Sequence, residues 1–176
     1  MLRPYPPTCM TRVAVVGGGA WGTALADLLA RKGDFDTVIL WARESEVVES
    51  VNREHMNHMF LPGAALAPAV AAEQDLTAAV RGADVVVSAA PSHAVREVMT
   101  RARGQIGRGA LVVSVSKGLD PERLSTPSCV LADVLPKDAP IAVSNWTTGP
   151  DRPLVRISFM FERRLCSFTD SNWLST

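Results

Sequence analysis

An α/β fold on a doubly wound parallel sheet is what this sequence predicts, and three observations predict it. Valine-rich runs alternate with segments of helical period. The runs are apolar without interruption, as in "VAVV" and "ADVVVSAA", the mark of strands covered on both faces. The first run leads directly into a glycine-rich turn and a helix, "GGGAWGTALADLLARKG". Strand, helix, strand with buried strands argues for parallel pairing through helical crossovers.

The elements follow in order. Arg12–Val16 reads as the first buried strand. Ala20–Lys32 is helical, with Leu25, Leu28 and Leu29 at helical spacing and Gly33 as its stop. Thr37–Trp41 is a second strand and Glu44–Arg53 a second helix. "NHMFLPGAALAP", with two prolines, reads as a loop. A short strand near Ala69–Ala72 and a helix near Leu76–Val80 come next. "ADVVVSAA" is a strand, "PSHAVREVMTRAR" a helix opened by Pro91 and Ser92, and "ALVVSVS" another strand. "DPERLSTPSCVLADVL" starts a helix with Asp120 as cap and Pro121 in its first position, and Pro127 interrupts it. "PIAV" is a final short strand. Six strands complete a doubly wound dinucleotide fold of the Rossmann type.

A length of 176 residues suits one domain and a tail. Eighteen basic residues balance eighteen acidic ones, which argues against nucleic acid or an anionic membrane surface as the main partner. No apolar run reaches the roughly 18 residues of a membrane span, so no membrane insertion is expected. "MLRPYPPTCMTR" lacks the apolar stretch of a secretory signal. Residues 1–11 read as a disordered leader, with Met10 as an alternative start. Cys9, Cys129 and Cys166 are scattered and odd in number. They make neither a disulfide framework nor a metal spacing, and they predict a reducing, cytoplasmic setting.

The tail changes character. Twenty-three alanines occur up to Ala142 and none from Val143 to Thr176. The tail carries Trp146, Phe159, Phe161, Phe168, Trp173 and clustered arginines, without a helix or strand period. Residues 144–176 therefore read as an atypical tail: an irregular subdomain, or the product of a shifted reading frame.

Gly17-Gly18-Gly19-Ala20-Trp21-Gly22 contains G-x-G-x-x-G at Gly17, Gly19 and Gly22. The first glycine permits the tight turn out of the strand. The second lets backbone approach a pyrophosphate. The third lets the helix pack close to the strand. The free N–H groups of the helix start then face the phosphate charge. A strand before the motif and a helix after it supply the context it needs.

The second strand ends in Trp41-Ala42-Arg43-Glu44. NAD-preferring sites commonly carry an acidic residue at this strand end. Arg43 instead suits a 2′-phosphate, which favours NADPH or dual use; the alternative is a solvated arginine at a helix start. "SAAPSHAV" and "SVSKGLD" end two later strands, whose C-terminal ends face the ligand crevice of this fold. Ala89 and Ala90 leave room there. Ser92 caps its helix on one reading. Lys117 stands at a strand end where it can meet a phosphate, or it is a surface lysine before the Gly118 turn. His55 and His58 share a helical face by spacing. With His93 far off they lack a third ligand, and no metal is expected. No Ser-His-Asp or Cys-His arrangement is present.

Several segments together resemble NAD(P)-dependent glycerol-3-phosphate dehydrogenase: "VAVVGGGAWGTALA", "VILWAR", "FLPG", "ADVVVSAAPSHAVREVM" and "VSKGLDPE". The resemblance covers residues 12–143, in order and at the right spacing. It implies a Rossmann cofactor domain of an enzyme that reduces dihydroxyacetone phosphate to sn-glycerol 3-phosphate, supplying phospholipid backbones. It implies NAD(P)H contacts at Ala20, Trp21, Arg43 and Lys117, which join Gly17, Gly19 and Gly22 of the turn and Pro91 at the strand end as the expected cofactor site. Lys117 is further implied in substrate binding.

The departures bear on activity. After "PIAV" the family continues with a Ser-Gly-Pro-Ser/Thr-Phe-Ala loop, where this chain reads Ser144-Asn145-Trp146-Thr147-Thr148-Gly149-Pro150. The family's helical C-terminal domain, with the catalytic lysine, has no counterpart here, so no catalytic residue is assigned. Little or no activity is expected of the chain alone, and the apolar surface left uncovered predicts self-association. Two alternatives stay open: a non-catalytic NAD(P)H-binding module, or part of another two-domain dehydrogenase of the same superfamily, such as a 3-hydroxyacyl-CoA or 6-phosphogluconate dehydrogenase. "WAR" and "SKGL" speak against the last.

Overall fold

A computed structural model describes residues 12–121, 123–148, 153–161 and 164–168. The expected leader, with Cys9, and Trp173 lie outside the described residues. The central strand β1 (Arg12–Val16) shows why the sheet is parallel and enclosed. Val13, Ala14, Val15 and Val16 are all fully buried. Val13 and Val15 pack with Val38, Leu40, Val47 and Val51. Ala14 and Val16 turn to the other face and pack with Val86, Val95, Met99 and Leu131. A strand with no wet face must be covered on both sides. Each such valine stabilises the fold by about 1.5–3 kcal/mol as an upper figure.

Helices α1 (Ala20–Lys32) and α2 (Ser45–Glu54) contribute to the first face. Helices α3 (Leu76–Val80), α4 (Ser92–Ala102) and α5 (Pro127–Val134) contribute to the second. The remaining parallel strands of the sheet are β2 (Thr37–Trp41), β5 (Val70–Glu73), β6 (Val85–Ser88), β7 (Leu111–Ser114) and β8 (Ile141–Thr148). They lie in the order β5, β2, β1, β6, β7, β8, each pair parallel. The chain runs outward from β1 to β2 and β5, crosses back over β1 to β6, and runs outward again to β7 and β8. This is the doubly wound order, and its reversal opens a crevice between the C-terminal ends of β1 and β6. Gly33 closes α1 in the left-handed conformation, φ 75°, as its position predicted.

Three expectations are corrected by the fold. The proline-bearing loop holds an antiparallel ribbon, β3 (Met56–Asn57) with β4 (Leu61–Ala65). Pro62 is tolerated because a two-stranded ribbon leaves outward N–H positions unpaired. The helix expected from Asp120 starts only at Pro127. Thr126 is extended, as the residue before a proline prefers, and its hydroxyl accepts from Cys129 N at 3.4 Å. Pro127 therefore opens this helix instead of interrupting one. Asp120 is instead buried and paired with Arg96.

The last strand outruns "PIAV". β8 reaches Thr148, and β9 (Pro153–Phe161) and β10 (Arg164–Phe168) extend the sheet antiparallel, although no strand period was expected beyond residue 144. "PLVRISFMF" is rich in β-branched and aromatic residues, and the open edge of β8 offers it backbone partners. Among the described residues, no helix is long and apolar enough to cross a membrane.

Candidate nucleotide site

The glycine turn sits at the mouth of the β1–β6 crevice, and each glycine has a distinct reason to be there. Gly17 takes φ 134°, a conformation L side chains rarely adopt. A Cβ on it would lie 2.8 Å from Ala89 C, so the two strand ends touch through backbone. On Gly22 a Cβ would lie 1.8 Å from Gly17 O; α1 rests directly on the turn. A Cβ on Gly19 would meet nothing within 4 Å. Gly19 faces open space at the helix start, where a pyrophosphate would approach.

Gly18, which the motif leaves unassigned, is also constrained. A Cβ there would lie 2.4 Å from the Ala42 Cβ, so the turn is wedged against the end of β2. Gly18→Ala is expected to destabilise the fold by about 1–3 kcal/mol. Adding Ala42→Gly should recover part of that loss, and only part, since Ala42 Cα stays 3.1 Å away. Thermal unfolding of both single variants and the double variant checks this; strict additivity would refute the wedge.

Beneath the turn lies a polar cluster that sequence reasoning missed. Asn57 and Thr23 are fully buried. Asn57 Nδ2 donates to Gly18 O at 2.9 Å and to Thr23 Oγ1 at 2.8 Å. Asn57 Oδ1 accepts from Phe60 N at 3.0 Å. Thr23 Oγ1 donates to Gly18 O at 3.3 Å. Every donor of the Asn57 amide is used, which removes a penalty of about 1–3 kcal/mol for a buried unpaired group. Neither residue belonged to a periodic pattern. The one hint was a polar residue at the start of "NHMF", read as an ordinary loop.

The ends of β6 and β7 are stitched to each other. Ser116 Oγ lies 2.6 Å from Ala90 O and 3.1 Å from Ser88 O. The adjacent Lys117 extends over α1, its Nζ 5.9 Å from the centroid of the Trp21 ring, within cation–π range. Trp21 is 38% exposed on the crevice-side first turn of α1. Pro91, not Ser92, holds the N-cap position of α4 and supplies no side-chain cap; the helix proper starts at Ser92. Ser92 instead packs on Gly118, whose Cβ would lie 3.0 Å from Ser92 Oγ. Behind this loop Arg96 Nε meets Asp120 Oδ2 at 3.1 Å and a second Arg96 nitrogen meets Asp133 at 3.4 Å. Chiefly the Asp120 carboxylate raises the Arg96 pKa above its ordinary range. The pair ties the segment carrying Lys117 to α4.

Arg43 stands at the tip of β2 with its side chain 84% exposed, 3.1 Å from Glu44 Oε1. Its carbonyl accepts from Gln74 Nε2 at 3.2 Å, so the backbone is anchored, while the guanidinium is held only by its exposed pairing with Glu44. Exposed pairs of this kind contribute about 0–1 kcal/mol, a weak restraint on recruiting Arg43 to another anion. The histidines do not share a helical face. His55 lies past the end of α2 with φ 51°, and His58 sits in the ribbon turn against Glu54 at 2.8 Å. Among the described residues, no three His, Cys, Asp or Glu side chains converge as a metal site would need.

Residues 12–150 match the family described as NAD-dependent glycerol-3-phosphate dehydrogenase, N-terminus. The chain belongs to that family. The family match runs through residue 150, beyond the Val143 limit expected from motifs alone. Glycerol-3-phosphate dehydrogenase (NAD(P)+) 2 of Sphingopyxis alaskensis is 41% identical over 140 residues, covering 80% of this chain and 40% of that protein. The crystal structure of glycerol-3-phosphate dehydrogenase from Coxiella burnetii superposes with a TM-score of 0.70 at 34% identity, over 77% of this chain and 41% of that one. The Saccharomyces cerevisiae enzyme shares the fold, with a TM-score of 0.71 at 23% identity. The chain thus spans about two fifths of the length of these relatives. The family is one of NAD(P)-dependent oxidoreductases.

Proposed function

We propose that these 176 residues form the NAD(P)H-holding part of an enzyme that reduces dihydroxyacetone phosphate to sn-glycerol 3-phosphate. The observation that supports this best is the convergence at the C-terminal ends of the central strands of the open Gly19 turn, Trp21 and Lys117. Gly17 and Gly22 shape the turn, and the first amides of α1 are left to receive the pyrophosphate. No acidic side chain in the first turn of α1 competes for them. Bound NAD(P)H would supply the hydride. Trp21, Ala20 and Pro91 would border the cofactor, and Lys117 would place its ammonium at the nicotinamide end, where substrate phosphate or carbonyl oxygen arrives.

Hydride transfer needs the substrate carbonyl held against the cofactor and a proton donor beside it. We place those groups outside these 176 residues, so the chain alone binds cofactor and turns over little or nothing. The alternative, a module that holds nucleotide without any reaction, draws on the replacement of the family's substrate loop by "SNWTTGP". Leu119 and Leu124, 51% and 74% exposed beside the Lys117 loop, are surface that a substrate-holding half, or a second copy, would cover. The cytoplasm is the proposed location. The loss of alanine after Ala142 fits a shifted reading frame, and the coding DNA read in its other frames downstream of Val143 tests that.

Titrating the purified chain with NADPH and NADH, followed by assay with dihydroxyacetone phosphate, tests the function. Binding without turnover is expected. A folded chain that binds neither nucleotide overturns the cofactor site, and robust turnover overturns the division of labour. Arg43→Ala should weaken NADPH binding by about tenfold while sparing NADH, the order expected for one charge-assisted contact. Equal losses for both nucleotides would remove Arg43 from the 2′-phosphate.

A further inference from the structure

We infer that Asn57 is a positioning residue for the dinucleotide pyrophosphate: it aims the Gly18–Gly19 peptide so that the Gly19 N–H faces the ligand. The inference rests on reading the turn as a dinucleotide site and adds the residue that presents it. A trans peptide is planar, with its C=O and N–H pointing in opposite directions, and none of the described peptides is cis. Asn57 and Thr23 both donate to the Gly18 oxygen, from the buried side of the turn. Pulling that oxygen inward drives the N–H of the same peptide outward, toward the open side where a Gly19 Cβ would touch nothing.

A free glycine pair has many alternatives to this orientation, because it lacks the Cβ that narrows backbone choice. Two hydrogen bonds onto one carbonyl select among them before ligand arrives, and such selection raises affinity by lowering the ordering cost of binding. Asn57 is itself fixed from the ribbon, through Phe60 N to its Oδ1 at 3.0 Å. The β3–β4 ribbon is thereby linked to the phosphate turn, and cofactor affinity depends on a segment with no residue in the glycine motif.

Asn57→Leu keeps the bulk and removes both donors. In the full chain it should raise the NADH dissociation constant about tenfold or more, leave binding of adenosine, which has no pyrophosphate, unchanged, and shift the free-state amide resonance of Gly19. Thr23→Val, nearly isosteric, should act in the same direction by about threefold and carries the test if Asn57→Leu does not fold. The double variant should lose little more than Asn57→Leu alone, because the Thr23 hydroxyl is itself directed at Gly18 O by accepting from Asn57 Nδ2. NADH affinity unchanged in Asn57→Leu, or in Thr23→Val where that variant carries the test, overturns the inference. So does an equal loss for NADH and adenosine, which would mark general damage to the site. A wild-type chain that fails to bind NADH in the same titration sinks the cofactor reading itself, and this inference with it.

Discussion

Gly22→Ala is expected to unfold the phosphate turn and to be the most damaging glycine-to-alanine change among the described residues. On helix propensity alone the sign would be opposite. Alanine inside a helix is favoured over glycine by about 1 kcal/mol. Contact decides against it. The added carbon would lie 1.8 Å from Gly17 O, 3.0 Å from Gly17 C and 3.4 Å from the Ala89 Cβ. The first two are backbone atoms and cannot rotate away. Gly17 is itself held, donating to Trp41 O at 3.1 Å. Helix α1 must therefore retreat by more than an ångström, lifting the fully buried Thr23 and Ala26 from the sheet.

Interiors resist such shifts because they are close-packed, and overpacking here costs about 3 kcal/mol or more. That corresponds to a fall of roughly 10 °C in the unfolding midpoint for a chain of this size. NADH affinity should drop by about a hundredfold or more, since the helix amides move with the helix. Calorimetry and a fluorescence titration check the two effects. A midpoint within a degree of wild type would show that α1 does not rest on the turn.

The parts of this fold that were legible in the sequence are those built from period and local rules. "VAVV" announced a doubly buried strand because no polar residue interrupts it, and Gly33 announced the end of α1 because only glycine takes the left-handed cap without strain. The order of strands followed from their alternation with helices. Gly17, Gly19 and Gly22 were placed by a motif whose spacing is itself a packing requirement. The misses concern contacts between distant segments. Asn57 lies 39 residues from Gly18, and nothing local reports that its amide will reach back under the turn. Asp120 satisfied every local rule for a helix cap. Its partnership with Arg96, 24 residues earlier, and the veto of Pro127 on the residue before it decided otherwise. Ser116 gave no warning either, because a serine stitching two strand ends together is indistinguishable in sequence from one facing water.

Gly19→Asp separates the two duties of the turn that Gly22→Ala disturbs together. Gly19 is the N-cap of α1 with φ −70° and ψ 179°, extended backbone open to any residue, and its Cβ would be free of neighbours within 4 Å. Aspartate is a better N-cap than glycine by a few tenths of a kcal/mol, roughly, through its own bond to the first-turn amides. It also complements the helix dipole, worth about 0.3–1 kcal/mol, at a first turn that holds no acidic residue. The variant should therefore fold as well as wild type or slightly better. The same carboxylate takes the amides and the space that the pyrophosphate requires, and it sets a negative charge against two more. NADH binding should fall by about a hundredfold or more, and raising the salt should recover only the part due to charge. A stable Gly19→Asp that still binds NADH at wild-type strength would mean that the dinucleotide does not cross this turn. A stable one that has lost binding would show that the glycine is kept against the preference of the helix, for the sake of the ligand.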